Sequence, residues 1–325
     1  MAVHDAYITN SPNWRLIPGS TTVPGSGSGG GSEWSTTKVL GAASDGSGSN
    51  AYVRIRELDA GLASAASDTT PFLAGNHTYS GNSFPSTYGS SNARDDDDYG
   101  WNYSVLNVKC DWVSLADGGM DATITSFANS IPVGHKVYLL INHEPENDGN
   151  PAGAAVWRSG QARAANMIAG FNDPRIDFGI CLMSYTWRPA SGRTPSDWNP
   201  WSQMSAAARQ QTIFAPDGYT TVRNVSGTTI DTMVSEFEAC FNDALSWGYQ
   251  RFAISEHSLN NDINAPVSQV VNWWNSDHLP YLRSKNLEYY AYYNSPGPAS
   301  GTNSKLDTPQ ELAMFSSFVR EYKYG

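Results

Sequence analysis

The sequence has few cysteines and few positive charges. Three of its 325 residues are cysteine, and they form no Cys-x-x-Cys motif or Cys/His cluster. Disulfides are therefore not expected to hold the fold together, nor is a structural zinc site expected. Lysine and arginine number 20 against 31 aspartate and glutamate, which leaves a net charge of −11. Nucleic-acid binding needs a basic surface, so this charge balance argues against a nucleic-acid partner.

Long apolar runs and leader-like segments are also missing. No stretch approaches the roughly 18 consecutive apolar residues that suggest a membrane-spanning helix. The first residues, Met1–Asp5, carry neither the basic segment nor the apolar segment of a secretory leader. The sequence therefore predicts neither a membrane span nor a signal peptide in this chain.

Composition divides the chain into three parts. Residues 1–18 are too few for a domain, and residues 19–32 are rich in glycine and serine, as flexible linkers are. Residues 33–325 read as one body. We expect residues 1–18 to be an arm that can tether this body to a larger assembly.

The body alternates short apolar runs with helical patterns. The predicted strands are Val39–Ala43, Pro71–His77, Tyr103–Cys110, Lys136–Asn142, Asp177–Ser184, Gln211–Ala215, Arg251–Ser255 and Leu287–Tyr293. The predicted helices are Ala51–Leu62, Asp121–Ser130, Ala154–Gly170, Asp231–Trp247, Pro266–Lys285 and Pro309–Tyr322. The last helix begins with Thr308-Pro-Gln-Glu311, the pattern of a capping box. Such alternation over about 290 residues predicts an α/β fold, a (β/α)8 TIM barrel. An open doubly wound sheet is the second choice, because no glycine-rich phosphate turn follows the first strand.

Two carboxylates follow separate predicted strands. The fourth strand runs into His143-Glu144-Pro145, and the seventh runs into Glu256-His257. Side chains at the C-terminal ends of barrel strands share one mouth, so these two glutamates are expected to converge. A pair of carboxylates flanking a bond is the apparatus of glycoside hydrolysis.

The order of these motifs resembles the retaining glycoside hydrolases built on (β/α)8 barrels. The His-Glu pair is closest to the β-mannanase-like family, and Leu106–Asp111 and Phe214–Tyr219 extend the similarity. The resemblance implies that Glu144 is the acid/base, with a raised pKa, and that Glu256 is the nucleophile. It also implies a carboxyl separation of about 5–5.5 Å and a covalent glycosyl-enzyme intermediate.

Aromatic and polar side chains near the predicted strand ends suit a sugar, whose ring has apolar faces and a rim of hydroxyls. The aromatic candidates are Tyr79, Trp112, Tyr185, Trp187, Tyr219, Tyr292 and Tyr293. The predicted substrate-binding residues are His77, Asp111, Trp112, His143, Trp187, Asp217, Tyr219, His257 and Tyr292. A tyrosine at position 219 could donate a hydrogen bond to the nucleophile. The long loop Arg188–Ser205 is expected to extend an open cleft.

Other interpretations of these residues stay open. Glu146 is the reserve candidate for the acid, because it shares a loop with Glu144. A metal site at His143 and His257 is disfavoured without an HExxH motif, and no metal or cofactor is predicted. The acidic run Arg94–Asp98 lacks the spacing of a calcium loop and is expected to be solvated. A serine hydrolase is disfavoured, because no Gly-x-Ser-x-Gly motif occurs.

The sequence therefore predicts a retaining, endo-acting glycosidase whose partner is a polysaccharide or oligosaccharide. The main alternative is a non-catalytic carbohydrate-binding or adhesion barrel, and a lesser one is a transglycosylase that uses the same glutamates. The presence of both Glu144 and Glu256 favours the enzyme. We expect an extracellular, cell-surface or virion-associated location, reached after removal of a leader or by another route.

Overall fold

The structure is a computed structural model that describes most of the body. The described residues are 37–42, 48–80, 83–91, 99–148, 153–220, 231–259, 261–262, 265–295 and 302–324. The expected arm at 1–18, the linker at 19–32 and the acidic run at 95–98 lie outside the described residues. None of the helices in the described ranges is both long and apolar enough to cross a membrane.

Eight parallel strands form the barrel, and the sixth and seventh strands are each split into two pieces. The strands are β1 Lys38–Ala42, β2 Gly75–Tyr79, β3 Tyr103–Val108, β4 Lys136–Ile141, β5 Ile176–Ile180, β6a Ile213–Phe214, β6b Asp217–Thr220, β7a Arg251–Phe252, β7b Ile254–Leu259 and β8 Tyr289–Tyr293. A separate antiparallel pair joins Asn261–Asp262 to Thr302–Asn303.

The split strands close the sheet on itself. β1 to β5 pair in sequence order, and β5 pairs with β6a, which pairs with β7a. β6b pairs with β7b, which pairs with β8, and β8 returns to β1. Since each split strand is one stretch of chain interrupted by one or two residues, the eight strands make a closed ring. The predicted (β/α)8 barrel is confirmed.

Helices cover the outside of the barrel. They are α1 Gly48–Ala66, α2 Trp112–Asp117, α3 Asp121–Asn129, α4 Ala154–Phe171, α5 Ala206–Gln211, α6 Met233–Trp247, α7 Val267–Trp273, α8 Leu279–Arg283 and α9 Pro309–Tyr324. The loop between β5 and α5 contains four 3₁₀ turns, Ser184–Trp187, Pro189–Ser191, Pro195–Trp198 and Trp201–Gln203.

Local sequence explains several helix ends. Glu311 accepts from the backbone N–H and the hydroxyl of Thr308, which in turn accepts from the N–H of Glu311, so the predicted capping box at the start of α9 is confirmed. Gly248 ends α6 with a φ of 113°, a conformation that costs glycine little. The predicted helix Pro266–Lys285 is interrupted by a π turn at Trp274–His278. Pro280 lacks an N–H and crowds the carbonyl four residues earlier, which favours such an interruption.

The core has two parts, one inside the barrel and one between the barrel and its helices. The interior cluster comprises Leu40, Ala42, Val105, Tyr138, Leu140, Cys181, Ile213, Ala215, Ala253, Tyr289 and Ala291. The larger cluster joins the outer strand faces to the helices. Because both faces of each strand are buried, the strands read as nearly continuous apolar runs, which made them visible in the sequence.

Three predicted strand boundaries were wrong in ways that affect the site. The second strand was expected at Pro71–His77 but is Gly75–Tyr79, so it places Tyr79 at the C-terminal end of the strand. The fifth was expected to reach Ser184 but ends at Ile180. The seventh was expected to end at Ser255, whereas β7b continues to Leu259 and contains Glu256. The polar residues 255–258 inside this strand hide its end from a hydrophobicity pattern.

Candidate active site

The carboxylate of Glu256 lies at the C-terminal end of the barrel, where two tyrosines donate to it. The hydroxyl of Tyr79, at the end of β2, donates to Oε1. The hydroxyl of Tyr219, on β6b, donates to Oε2 over 2.5 Å. The Glu256 side chain is only 5% exposed. Each carboxylate oxygen therefore has a donor, and such donors favour the charged form.

A β-bulge in β7b turns Glu256 toward the inside of the barrel. On β8, Tyr290 pairs with Ile254 and Tyr292 pairs with His257, so three steps along β7b match two steps along β8. Ile254 packs in the core between barrel and helices. Strict alternation from Ile254 would send Glu256 to that outer side too. The extra residue of the bulge reverses this and aims Glu256 inward.

Glu144 occupies a left-handed turn just after β4. Asn142 and Glu144 both have a φ of 51°, which is uncommon outside glycine and occurs where the surroundings hold the backbone in place. The N–H of Glu144 donates to the carbonyl of Cys181, after β5, over 3.2 Å. The side-chain amide of Asn147 donates to Oε2 of Glu144 over 3.2 Å. Contacts on both sides therefore fix the position of this carboxylate.

The two glutamates affect each other electrostatically. Burial, and then the negative charge of Glu144, raise the pKa of Glu256 from 4.5 to about 7, while the tyrosine hydrogen bonds oppose this rise. Burial also raises the pKa of Glu144. The Asn147 amide and the cations Lys109 and Arg193 oppose this rise in the pKa of Glu144. Both carboxyls therefore bind protons more tightly than free glutamates do.

Asp217 adds a third carboxyl to this end of the barrel. It pairs with Glu256 in the register of β6b and β7b and is fully buried. The thiol of Cys181 donates to Oδ2 over 3.0 Å. Burial, followed by the charges of Glu256 and Glu144, raises the pKa of Asp217 well above its ordinary value. Asp217 is therefore expected to stay neutral beside the two glutamates.

A carboxylate on a helix holds the backbone of Tyr219. Oε1 of Glu236, on α6, accepts from the N–H of Tyr219 over 3.3 Å and from the hydroxyl of Ser184. Oε2 accepts from the guanidinium of Arg188. Gly218 leaves space for this approach, because a Cβ there would lie 2.9 Å from Oε1. The tyrosine that donates to Glu256 is thus anchored from outside the barrel.

Two of the predicted histidines lie near Tyr79. The ring of His77 stacks on Tyr79 with centroids 5.0 Å apart, and the ring of His143 lies 5.9 Å from Tyr79. His77 accepts from the Asn107 amide at Nε2 and donates from Nδ1 to the carbonyl of Ser255. Burial lowers the pKa of His77 to about 4 and that of His143 to about 3, so both are neutral at pH 7.

Glu146, the reserve candidate, links two loops. Its Oε1 accepts from the backbone N–H of Met183 over 2.5 Å and from the hydroxyl of Thr186 over 2.8 Å. Burial raises its pKa to about 7. Among the described residues, Oε2 has no hydrogen-bond partner. Glu146 therefore anchors the turn after β4 to the turn after β5.

The structure does not bring His257 and Tyr292 to the mouth. His257 Nδ1 lies 2.6 Å from the Tyr290 hydroxyl, and its ring packs against Phe237 of α6. Tyr292 is 1% exposed and packs 4.8 Å from Phe315 of α9. Both side chains sit on the outer strand faces, because neighbouring positions on a strand point to opposite sides. Tyr293 instead lies edge-on to Tyr219 at 5.7 Å.

Trp187, Trp112 and Asp111 make structural contacts. The indole of Trp187 donates to Asp243 of α6 over 2.8 Å, and its ring contacts Phe214 and Trp247 in the outer core.

At the start of α2, the carboxylate of Asp111 caps the helix by accepting from the N–H of Ser114 over 2.7 Å. The ring of Trp112 lies edge-on to Trp198 of the long loop, 6.3 Å away. A sugar contact at Trp112, Asp111 or Trp187 stays a prediction.

Several residues that shape the site were not singled out from sequence. Tyr79 was one of many aromatic candidates, and its spacing of two from His77 could have placed both on one strand face. No sequence motif pointed to Glu236, Asn147 or Arg193. Their role depends on which loops and helices meet above the barrel, and sequence spacing does not carry that information.

Comparisons with known proteins bear on the fold. No protein-family model matches the chain, and no curated protein matches it. A family 5 xyloglucanase from Paenibacillus pabuli is 11% identical with a TM-score of 0.53, covering 88% of this chain and 98% of its own. A glucosidase from Croceicoccus marinus is 10% identical with a TM-score of 0.51, covering 87% of this chain and 68% of its own. At such identities the similarity shows the shared barrel fold alone.

Proposed function

We propose that this protein is a retaining glycoside hydrolase that cleaves a polysaccharide within the chain, with Glu144 as acid/base and Glu256 as nucleophile. The observation that carries the proposal is the pair of tyrosine hydroxyls on Glu256, together with a second, half-buried glutamate just after β4 whose charge raises the pKa of Glu256. Glycosidases need two carboxyls with different protonation states in one site. Two solved glycosidases share the fold, which makes the barrel compatible with this chemistry.

The hydrogen bonds to each glutamate indicate which one is the nucleophile and which one is the acid/base. Glu256 accepts from two tyrosine hydroxyls, whereas Glu144 accepts from the Asn147 amide among the described side chains. The tyrosine hydroxyls favour the charged form of Glu256 and oppose the rise in its pKa, so we assign the ionised role to Glu256 and the proton to Glu144. A protonated Glu144 can act as an acid, and an ionised Glu256 can act as a nucleophile.

The reaction then proceeds in two displacements. Glu144 protonates the leaving glycosidic oxygen while a carboxylate oxygen of Glu256 attacks the anomeric carbon, which forms a covalent glycosyl-enzyme. Glu144, now ionised, takes a proton from a water that attacks the same carbon and releases Glu256. The neutral state of Asp217 lets Glu256 carry its charge without a third negative group beside it.

The β5–α5 loop supports action within a polymer. It spans residues 181–205, follows β5 at the C-terminal end of the barrel and carries Tyr185, whose side chain is 37% exposed. An exposed aromatic ring beside a loop of this length offers a binding surface beyond a single sugar. The resemblance to β-mannanase-like enzymes makes mannans the first polymers to test.

The experiment measures release of reducing ends from a panel of plant and bacterial-wall polysaccharides. Wild type is compared with Glu144→Gln and Glu256→Gln, and Glu146→Gln is the matched control from the same loop as Glu144. We expect both Glu144→Gln and Glu256→Gln to lose activity by about 10²-fold or more, since general acid catalysis alone contributes that much. Glu146→Gln should retain most activity, because a glutamine can keep the contacts to Met183 and Thr186.

Different outcomes separate the alternatives. If Glu146→Gln loses activity and Glu144→Gln keeps it, the acid is Glu146. If folded wild type releases no reducing ends but binds one of the polymers, the protein is a carbohydrate-binding barrel. The anomeric configuration of the first product is monitored by NMR during hydrolysis. Inversion of that configuration would contradict the two-displacement mechanism.

A further inference from the structure

Arg193, in the loop after β5, carries a guanidinium that is only partly satisfied. Its Nη2 donates to the side-chain carbonyl of Asn147 over 3.1 Å. Its Nη1 is buried and has no hydrogen-bond acceptor among the described residues. By contrast, Arg188 in the same loop is paired with both Glu236 and Asp231. No close ion pair joins Arg193 to a carboxylate in the described ranges, although its charge lowers the pKa of Glu144.

An exposed aromatic ring lies beside this guanidinium. The ring of Tyr185 has the guanidinium carbon of Arg193 at 5.7 Å and that of Arg188 at 5.8 Å from its centre. Tyr185 is 37% exposed, whereas most aromatic rings around the barrel are buried. Large apolar side chains held in the open are often contact surfaces for a ligand. A flat ring next to cationic groups suits a sugar that has both an apolar face and a negative charge.

Asn147 connects this pair to the proposed acid. It accepts from Arg193 with its carbonyl and donates to Oε2 of Glu144 with its amide, over 3.1 Å and 3.2 Å. The guanidinium is therefore one side chain away from Glu144. A sugar unit whose glycosidic oxygen reaches Glu144 would extend past this position if the chain follows the β5 side of the mouth.

The chemistry of Arg193 indicates what it binds. A guanidinium presents a planar fork of donors that matches a carboxylate with two parallel hydrogen bonds. The net charge of −11 repels a polyanion at long range, so attraction must come from local contacts.

We propose that Arg193 and Tyr185 form a subsite for a carboxylate-bearing sugar, so that the substrate is an acidic polysaccharide containing uronic acid units. This inference rests on the proposed glycosidase function, which it makes more specific. Arg193 would hold the carboxylate, and Tyr185 would pack on the face of the same or the neighbouring ring.

The test measures binding rather than cleavage. The Glu256→Gln variant is run by affinity electrophoresis through gels that contain polygalacturonate, alginate, glucuronoxylan or hyaluronan. Each polymer is matched by its carboxyl-reduced form, in which the carboxylate is a neutral hydroxymethyl group. We expect retardation by at least one of these polymers and at least tenfold weaker binding to its reduced form. A sulfated polymer of similar charge density tests whether any anion suffices.

Arg193→Gln is added to the same background, with Arg320→Gln as the matched control on the exposed surface of α9. We expect Arg193→Gln to weaken binding by roughly tenfold or more, as loss of a charge-assisted contact does, while Arg320→Gln changes nothing. Equal binding to reduced polymer, unchanged binding by Arg193→Gln, equal retardation by the sulfated polymer, or no retardation by any polymer would each overturn the inference.

Failure of this inference is distinct from failure of the proposed function. Cleavage of neutral polymers, with both glutamates required and no preference for uronates, would leave the glycosidase proposal in place and remove the acidic subsite. Arg193-dependent binding of a uronate polymer without any cleavage would support the subsite and contradict the enzyme.

Discussion

Gly218 packs directly against the carboxylate of Glu236. A Cβ on Gly218 would lie 2.9 Å from Oε1 of Glu236 and 2.8 Å from Cζ of Phe237, distances that real side chains do not tolerate. The absent side chain lets a helix carboxylate reach the backbone N–H of Tyr219. A glycine on β6b therefore contributes to the placement of a hydroxyl that contacts Glu256.

The first prediction concerns Gly218→Ala. The added methyl group should displace Glu236 and Tyr219, which lowers kcat and destabilises the protein by about 1–3 kcal/mol, as overpacking does. Gly170→Ala is the control, because a Cβ at Gly170 meets no atom within 4 Å. Urea unfolding and initial rates are measured on both variants. Equal stability and kcat for Gly218→Ala and wild type would show that the contact with Glu236 has no role.

The second prediction concerns Tyr79→Phe and Tyr219→Phe. Each hydroxyl favours the ionised form of Glu256, so its removal should raise the pKa of that carboxyl further. The acidic limb of the kcat/KM profile should then move to higher pH by about one to two units, because a hydrogen bond to a charged group contributes about 1.5–3 kcal/mol. Tyr249→Phe is the control, since the Tyr249 hydroxyl has no partner among the described residues. An acidic limb that stays in place would argue against Glu256 as the group that must be ionised.

The third prediction links Glu146 to the pH dependence of stability. Its pKa is about 7 in the folded protein and 4.5 as its ordinary value, so folding favours its protonated form. The protonated Glu146 carboxyl stabilises the folded protein fully below about pH 4.5, and this contribution is lost as the pH rises toward 7. Glu146→Gln removes the titration but keeps an oxygen for Met183 and Thr186. The free energy of unfolding of the variant relative to wild type should therefore increase between pH 4.5 and 7, by at most about 1.4 kcal/mol per pH unit. A difference that is constant with pH would show that Glu146 is ionised in the folded protein.

The fourth prediction concerns the opposite end of the barrel. Arg251, at the start of β7a, donates to Asp177 and Glu288, each over 2.8 Å, and to the carbonyl of Gln211. Catalysis should not depend on this N-terminal end of the barrel, because the proposed site lies at the C-terminal ends of the strands. Arg251→Met should lower the free energy of unfolding by about 1–3 kcal/mol, since it removes the ion pair to Glu288 and one of the two cations at Asp177, which keeps Lys136. Activity per folded molecule should be unchanged. A large loss of kcat with intact stability would mean that the two ends are coupled.

Much of the fold could be predicted from sequence because its strands are buried on both faces. The strand Lys136–Ile141 is almost entirely apolar, and it stands out between helical patterns. The residues Glu144 and Glu256 were visible for the same reason, as polar groups directly beyond apolar runs. Helix caps such as Thr308 and Glu311 are local, so their spacing alone identified them.

The positions within the mouth were harder to predict. His257 and Tyr292 were assigned to the substrate side, but they pack on Phe237 and Phe315 outside the barrel. A strand side chain faces inward or outward according to register, and a shift of one residue reverses the face. Sequence alternation does not set that register when neighbouring residues such as Tyr292 and Tyr293 are alike.

Local patterns were sufficient to specify a parallel barrel, one glutamate just after strand four and another on strand seven, since burial and capping act over a few residues. Local patterns were not sufficient to predict which way the Glu256 side chain points. Its inward direction depends on the bulge between Ile254 and His257, which exists only in the pairing of β7b with β8. Its contacts come from Tyr79 and Tyr219 on two other strands. Pairing between strands distant in sequence is set by the closure of the whole barrel, so the chemistry of the site depends on tertiary structure.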